Sequence, residues 1–135
     1  MNKICIASVA IINSKKELLL VRKKNSSYYQ LVGGKIQTNE TYEQTIVRET
    51  LEEIGYTISK NNLQKLGMHT TQAVNEKNTI VEGHIYYLFL STDFTPKIAN
   101  EIDEYVWLNN SNYQNYQWAH LAYEFVLPFW KKLLK

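Results

Sequence analysis

From Thr41 to Ile54 the chain contains neither glycine nor proline, and Gly55 stands at the end of the run. That pattern predicts one helix, with cap residues among Thr38, Asn39 and Thr41 and Gly55 as the C-terminal stop. Five of the eleven glutamates lie between Gly33 and Tyr56: Glu40, Glu43, Glu49, Glu52 and Glu53. At about 100° per residue, Glu52 falls near −60° and Glu53 near +40° from Glu49, so all three share one face. Val47, Leu51 and Ile54 are expected on the opposite side. Like charges at spacings of three and four repel, each pair costing about 0.2–0.5 kcal/mol in an isolated helix. Arg48 is the only cation between Lys35 and Lys60. A hard divalent cation resolves the conflict: Mg²⁺ takes oxygen ligands, commonly a few carboxylates with substrate phosphates, and Mn²⁺ accepts the same set. A solvated acidic face is the alternative. Gly33-Gly34 shifts the balance, because it is read as lying between a strand and the helix, where bare backbone lets a metal or phosphate approach closely. Lys35 follows at once. This is not a P-loop, since Tyr29 and Ile36 occupy the places of a required glycine and hydroxyl.

The remainder of the chain reads as strands with one further helix. Ile4 to Ile12 and Glu17 to Arg22 flank Asn13-Ser14-Lys15-Lys16 as strand, turn, strand. Tyr28 to Val32, Leu63 to Ala73, Thr79 to Leu90 and Glu104 to Leu108 are further strands. Ala119 to Leu134 is a helix interrupted by Pro128. No repeat, linker or low-complexity tract appears, so residues 1–135 are expected to form one α+β layered domain. The early apolar run is short and follows a single lysine, so it reads as the first arm of a hairpin, not as a signal peptide.

Composition excludes several classes. With 44% hydrophobic and 21% charged residues, the chain is not disordered or fibrous. A net charge of +2 is too weak to imply a nucleic-acid polymer as partner. No apolar stretch approaches the roughly 20 residues of a membrane span, so no membrane partner is expected. Cys5 is the only cysteine, which excludes an intrachain disulfide and points to a reducing, cytoplasmic setting. With only His69, His84 and His120 beside it, no CxxC or HxxxH zinc spacing can be drawn.

Gly34, five residues, Glu40, seven residues, then Arg48-Glu49-Thr50-Leu51-Glu52-Glu53-Ile54-Gly55-Tyr56 resembles the signature of the Nudix hydrolases, MutT-like members included. Every fixed residue of that pattern is present. Three positions depart from it: Thr50 and Tyr56 stand where aliphatics are usual, and Val32 stands where many members have proline. Thr50 is expected to loosen packing beneath the metal face. The resemblance implies an α/β/α sandwich around a mixed β-sheet, and hydrolysis of a nucleoside diphosphate linked to another moiety. It implies Glu49, Glu52 and Glu53 as metal ligands with the carbonyl of Gly33, and Glu49 also as the group that orients or deprotonates water. Arg48 and Glu40 would pair to hold the helix and ligands in place. Glu101 is a further acidic candidate for the metal or the water. Arg22 and Lys35 are candidate phosphate contacts, and Leu31, Trp118 and His120 candidate linings of a base pocket. The ADP-ribose subgroup's proline and the NADH subgroup's motif are both missing. By elimination the expected substrate is a nucleoside triphosphate such as 8-oxo-dGTP, with a nucleotide sugar or dinucleotide as the alternative. A module that senses nucleotides without cleaving them is the alternative of another class. Trp130, Leu133 and Leu134 suggest either a homodimer surface or packing on the sheet.

Overall fold

Strand β1 (Asn2–Ile12) is the spine of the computed structural model, which describes residues 1–135. It runs parallel to β6 (Thr79–Phe89) along its whole length, from Asn2↔Thr79 to Ile12↔Phe89. On its other edge it pairs antiparallel with β4 (Val32–Lys35) and, at Ile12↔Leu18 alone, with β2 (Leu18–Lys23). The predicted hairpin therefore opens after one pair. Its second arm instead takes β3 (Tyr29–Gln30) and β7 (Ile102–Leu108) as antiparallel neighbours. β5 (Gln64–Gln72) closes the far edge against β6. The seven-stranded sheet is thus mixed, with β1·β6 the parallel pair.

Both faces of this sheet are covered, as the two-sided apolar pattern of β1 requires. Ala7, Val9 and Ile11 join Leu19, Val21 and Val32 under α1 (Tyr42–Ile54), which contributes Ile46 and Ile54. Ala10 and Ile12 join Leu18, Leu20, Ile85 and Leu108 against the C-terminal helix, which contributes Leu121, Val126 and Trp130. The result is an α/β/α sandwich. Each fully buried Leu, Ile or Val adds about 1.5–3 kcal/mol of transfer free energy. No helix is long and apolar enough to cross a membrane.

Three expectations are corrected. Gly33-Gly34 is not a bare loop; both residues lie within β4, opposite Ser8 and Ala7. A Cβ on Gly33, whose φ is 152°, would strike the Ala7 carbonyl and Ser8, so only glycine permits this pairing. Second, α1 does not bury Val47 and Leu51 as its inner stripe. Leu51 is exposed, while Ile46, Thr50, Glu53 and Ile54 are buried. The helix is rotated because the two glycines leave a trough that its carboxylates enter. Third, the last helix does not break at Pro128. Residues 120–133 stay helical through a π-turn at Ala122–Val126, which runs into α2 (Leu127–Leu133). There the Leu127 N–H reaches back five residues to the Ala122 carbonyl. Widening the turn relieves the clash that a proline ring makes with the carbonyl four residues earlier. Trp130 is fully buried in its own chain, with its indole N–H donating to the Lys16 carbonyl at 2.8 Å, so it is not available to a second copy.

Candidate active site

Helix α1 is fixed at both ends before its side chains do anything else. Thr41 Oγ1 accepts from the Gln44 N–H (3.1 Å) and Gln44 Oε1 accepts from the Thr41 N–H (2.9 Å), a reciprocal capping box. Gly55 ends the helix in the left-handed region at φ 71°, its N–H on the Leu51 carbonyl. Such a cap is worth about 1 kcal/mol.

Arg48 organises the near side. Its Nε and Nη2 hold Glu40 Oε2 and Oε1 at 2.6 and 3.0 Å, a two-pronged pair. Nη2 also donates to the Lys35 carbonyl (3.2 Å), and Nη1 reaches Glu52 (3.2 Å) and Glu49 (3.4 Å). Glu40 in addition accepts from Thr45 Oγ1 and the Gln37 N–H. The Arg48 guanidinium, followed by Thr45, holds the Glu40 carboxyl down at about 2.

Glu53 is the opposite case. It is only 5% exposed, and the one hydrogen bond to its carboxyl comes from the Gly33 N–H at 3.3 Å. Burial pushes its carboxyl up to about 8, the Glu49 charge adds to this and Glu101 adds further, while the Gly33 N–H and Lys23 oppose. Glu49 is raised too, first by burial, with Arg48 opposing and Glu52 reinforcing. Its carboxylate lies directly over Gly34, where any Cβ would collide with it. Glu52 is the most open of the three, with its side chain 38% exposed.

Beside β4 opens a cavity of about 470 Å³, on the sheet face covered by the C-terminal helix. Ser8, Gly33, Gly34, Leu31, Lys35 and His120 line it, together with Lys23 to Ser26 and the turn between β5 and β6. That volume falls within the roughly 300–1,000 Å³ of small-molecule sites. His120 Nδ1 sits 2.9 Å from the Gln72 carbonyl at its rim.

Two expected contacts are placed elsewhere. Trp118 does not line the cavity; it is buried in the second core, its indole N–H on the Tyr113 carbonyl at 3.0 Å. Arg22 is committed to Asp103, Glu104 and the Ser26 carbonyl, so a phosphate would have to break that network to reach it. Two features escaped sequence reading. Lys23 stands near enough to act on Glu49 and Glu53, and its Nζ is 3.7 Å from Glu101. The β5–β6 turn, with Asn75 bonded to Ser26, supplies one wall of the cavity. Its polar loop composition carried no signal of this.

The donor chemistry fits a hard divalent cation. Glu49 and Glu52 both reach Arg48 and Glu53 lies near enough to Glu49 to be raised by it, with no soft ligand among them, while Arg48 already makes its two-pronged pair with Glu40. A buried carboxyl so poorly solvated is costly to ionise unless a positive charge arrives.

The NUDIX domain model matches residues 2–127. The chain belongs to this family. A curated relative of this NUDIX chain, named "Putative 8-oxo-dGTP diphosphatase", from Bacillus subtilis (strain 168), is 30% identical over 79 residues. That match covers 58% of this chain and 52% of the relative, so the chain spans about half the length of the curated relative. Among solved structures, the MutT protein from Methanosarcina mazei Go1 superposes with a TM-score of 0.72 at 22% identity. It covers 97% of this chain and 92% of that one. The NUDIX domain of Shewanella oneidensis NrtR, complexed with ADP ribose, gives 0.79 at 15% identity, covering 98% and 90%. These likenesses carry the fold.

Proposed function

We propose that this NUDIX chain is a Mg²⁺-dependent pyrophosphohydrolase that cleaves a nucleoside triphosphate, 8-oxo-dGTP among the candidates, to monophosphate and pyrophosphate. The observation that carries the reading is Glu53: a buried, weakly bonded carboxyl raised by Glu49, whose one hydrogen-bond donor, the Gly33 N–H, belongs to a residue that also lines the nucleoside-sized cavity. The name of the Bacillus subtilis relative supports the substrate.

In this reading Glu49, Glu52 and Glu53, with the Gly33 carbonyl, hold the divalent ion, and Glu101 assists from the loop before β7. A bound divalent ion supplies charge neutralisation of the diphosphate and a lowered pKa for its water. The remaining work is done by the chain itself. The Gly33 N–H keeps Glu53 Oε1 fixed and so aims the carboxyl. Glu49, held above Gly34 and raised by burial, is placed to take a proton from the attacking water. Arg48, anchored by Glu40, prevents Glu49 and Glu52 from splaying apart. Lys35 and Lys23 offer positive charge to the phosphates at the cavity edge. Leu31 and His120 bound the space left for the base.

The test is chromatographic measurement of the nucleoside monophosphate formed across a panel of nucleoside triphosphates, nucleotide sugars and dinucleotides, each with and without EDTA. The reading expects EDTA-sensitive hydrolysis with a triphosphate as preferred substrate. Preference for a nucleotide sugar or dinucleotide would replace the substrate. Tight nucleotide binding without turnover of any compound would replace the enzyme with a sensor.

A further inference from the structure

A second group of ligating side chains lies on the α1 face of the sheet, apart from the glutamates of α1. Cys5 on β1 stands opposite Glu82 on β6, and Ala7 stands opposite His84, so the parallel pairing brings the three side chains together. Cys5 Sγ is 3.6 Å from Glu82 Oε2, and His84 Nε2 is 2.8 Å from the same oxygen. The three ligand atoms lie within 4.8 Å of one another, and all three residues are half-buried. Ala7 is also the residue opposite Gly34, so the backbones of His84 and Gly34 are two strand spacings apart, about 10 Å.

We propose that Cys5, Glu82 and His84 form a binding site for one zinc ion, distinct from the glutamate site. The donors are one thiolate sulfur, one imidazole nitrogen and one carboxylate oxygen, a set that suits Zn²⁺ and does not suit Mg²⁺. Spacing supports the match. With Zn–S of about 2.3 Å and Zn–O and Zn–N of about 2.0–2.2 Å, tetrahedral edges are about 3.6 Å for sulfur to oxygen and about 3.4 Å for nitrogen to oxygen. The first edge is already present. The second needs His84 to draw back by about half an ångström from its present hydrogen bond.

The surroundings orient these ligands. Lys3 Nζ takes the other Glu82 oxygen, Oε1, at 2.7 Å, leaving Oε2 for the metal. Tyr42, the first residue of α1, stacks on the His84 ring at 3.9 Å and 12°, which holds the imidazole plane. Outer contacts of this kind fix ligand orientation in metal sites. Binding transfers the Cys5 thiol proton to the buffer and forms the sulfur–zinc bond, with no change of oxidation state. The fourth tetrahedral position is left to water. Because both strands contribute ligands, the ion staples the start of β1 to β6.

Cobalt(II) serves as the spectroscopic probe, titrated anaerobically into the metal-free full chain. One equivalent is expected to give a near-ultraviolet sulfur-to-cobalt charge-transfer band with intense visible bands, both bleached by added Zn²⁺. The band should persist in Glu53→Gln and vanish in Cys5→Ser, and His84→Ala should weaken cobalt affinity at least tenfold. Cys5→Ser should keep its far-ultraviolet circular dichroism and its Mg²⁺-dependent hydrolysis. Cobalt uptake with no sulfur band overturns the proposal, as does a band that survives in Cys5→Ser. The readout does not depend on the chain being a hydrolase.

Discussion

Glu40 and Glu53 sit at the two ends of one helix and carry the same carboxyl, yet their surroundings push them in opposite directions. Glu40 has a two-pronged arginine, a threonine hydroxyl and a backbone N–H, and is held at about 2. Glu53 has one long N–H contact and a dry trough, and is pushed up to about 8. The first end is satisfied internally and therefore structural. The second is left short of positive charge, and that deficit is what a cation would fill. Lys23 and the Gly33 N–H oppose the shift only in part, against burial and the charges of Glu49 and Glu101.

The largest expected effect comes from erasing the deficit. Glu53→Gln keeps the shape and removes the charge, so turnover should fall by about a thousandfold or more while circular dichroism stays native. Near-wild-type turnover with Mg²⁺ present would break the comparison at its centre.

Next in size is the pH dependence of the metal-free protein. The folded pKa of Glu53 lies above its unfolded value of about 4.5, so its contribution to stability is complete below pH 4.5 and is lost as pH rises through 8. The shift corresponds to a few kcal/mol at most. Thermal melting in EDTA should therefore decline across pH 5–8.5, and Mg²⁺ should restore it. Glu40 predicts the reverse sign at the acid end. Its folded pKa is depressed, so its contribution is present above about pH 4.5 and disappears as pH falls toward 2. A melting profile flat from pH 5 to 8.5 in EDTA would mean that Glu53 is better solvated than its burial indicates.

The satisfied end can be probed from its own side. Arg48→Ala frees Glu40 and lets Glu49 and Glu52 move, so turnover should drop about ten- to a hundredfold, the range seen when groups that orient metal ligands are removed. Mg²⁺ affinity should fall with it. Lowered turnover at unchanged Mg²⁺ affinity would place Arg48 on the phosphate instead.

The smallest effect concerns Thr50, fully buried between the two ends with a hydroxyl that finds no partner. Thr50→Val fills the same space without the stranded oxygen and should stabilise the protein by about 1 kcal/mol in urea unfolding. Destabilisation would show that the hydroxyl has a partner, such as water.

Much of this was legible in the residues. The caps at Thr41 and Gly55 and the shared face of Glu49, Glu52 and Glu53 follow from local spacing, which a helix enforces, while the Arg48–Glu40 pair followed from the resemblance. The sandwich fold followed from the resemblance, and the family model and the sheet agree with it. What local spacing could not convey was which way α1 rotates on the sheet. That depends on two glycines in β4, whose lack of side chains lets Glu53 replace Leu51 as a buried residue. Nor could spacing reveal partners made across the sheet. Trp118 and Arg22 are absorbed by Tyr113 and by Asp103 with Glu104. The grouping of Cys5 with Glu82 and His84 exists only because β1 and β6 run parallel in one register.

The most direct test of the account is calorimetric titration of Mg²⁺ into the metal-free protein at pH 7, in two buffers of different ionisation enthalpy. The account predicts saturable uptake by the wild type with net proton release, and loss of both in Glu53→Gln. No uptake by the wild type, even with a non-hydrolysable nucleotide present, would contradict the claim that this trough of carboxylates exists to hold a divalent ion.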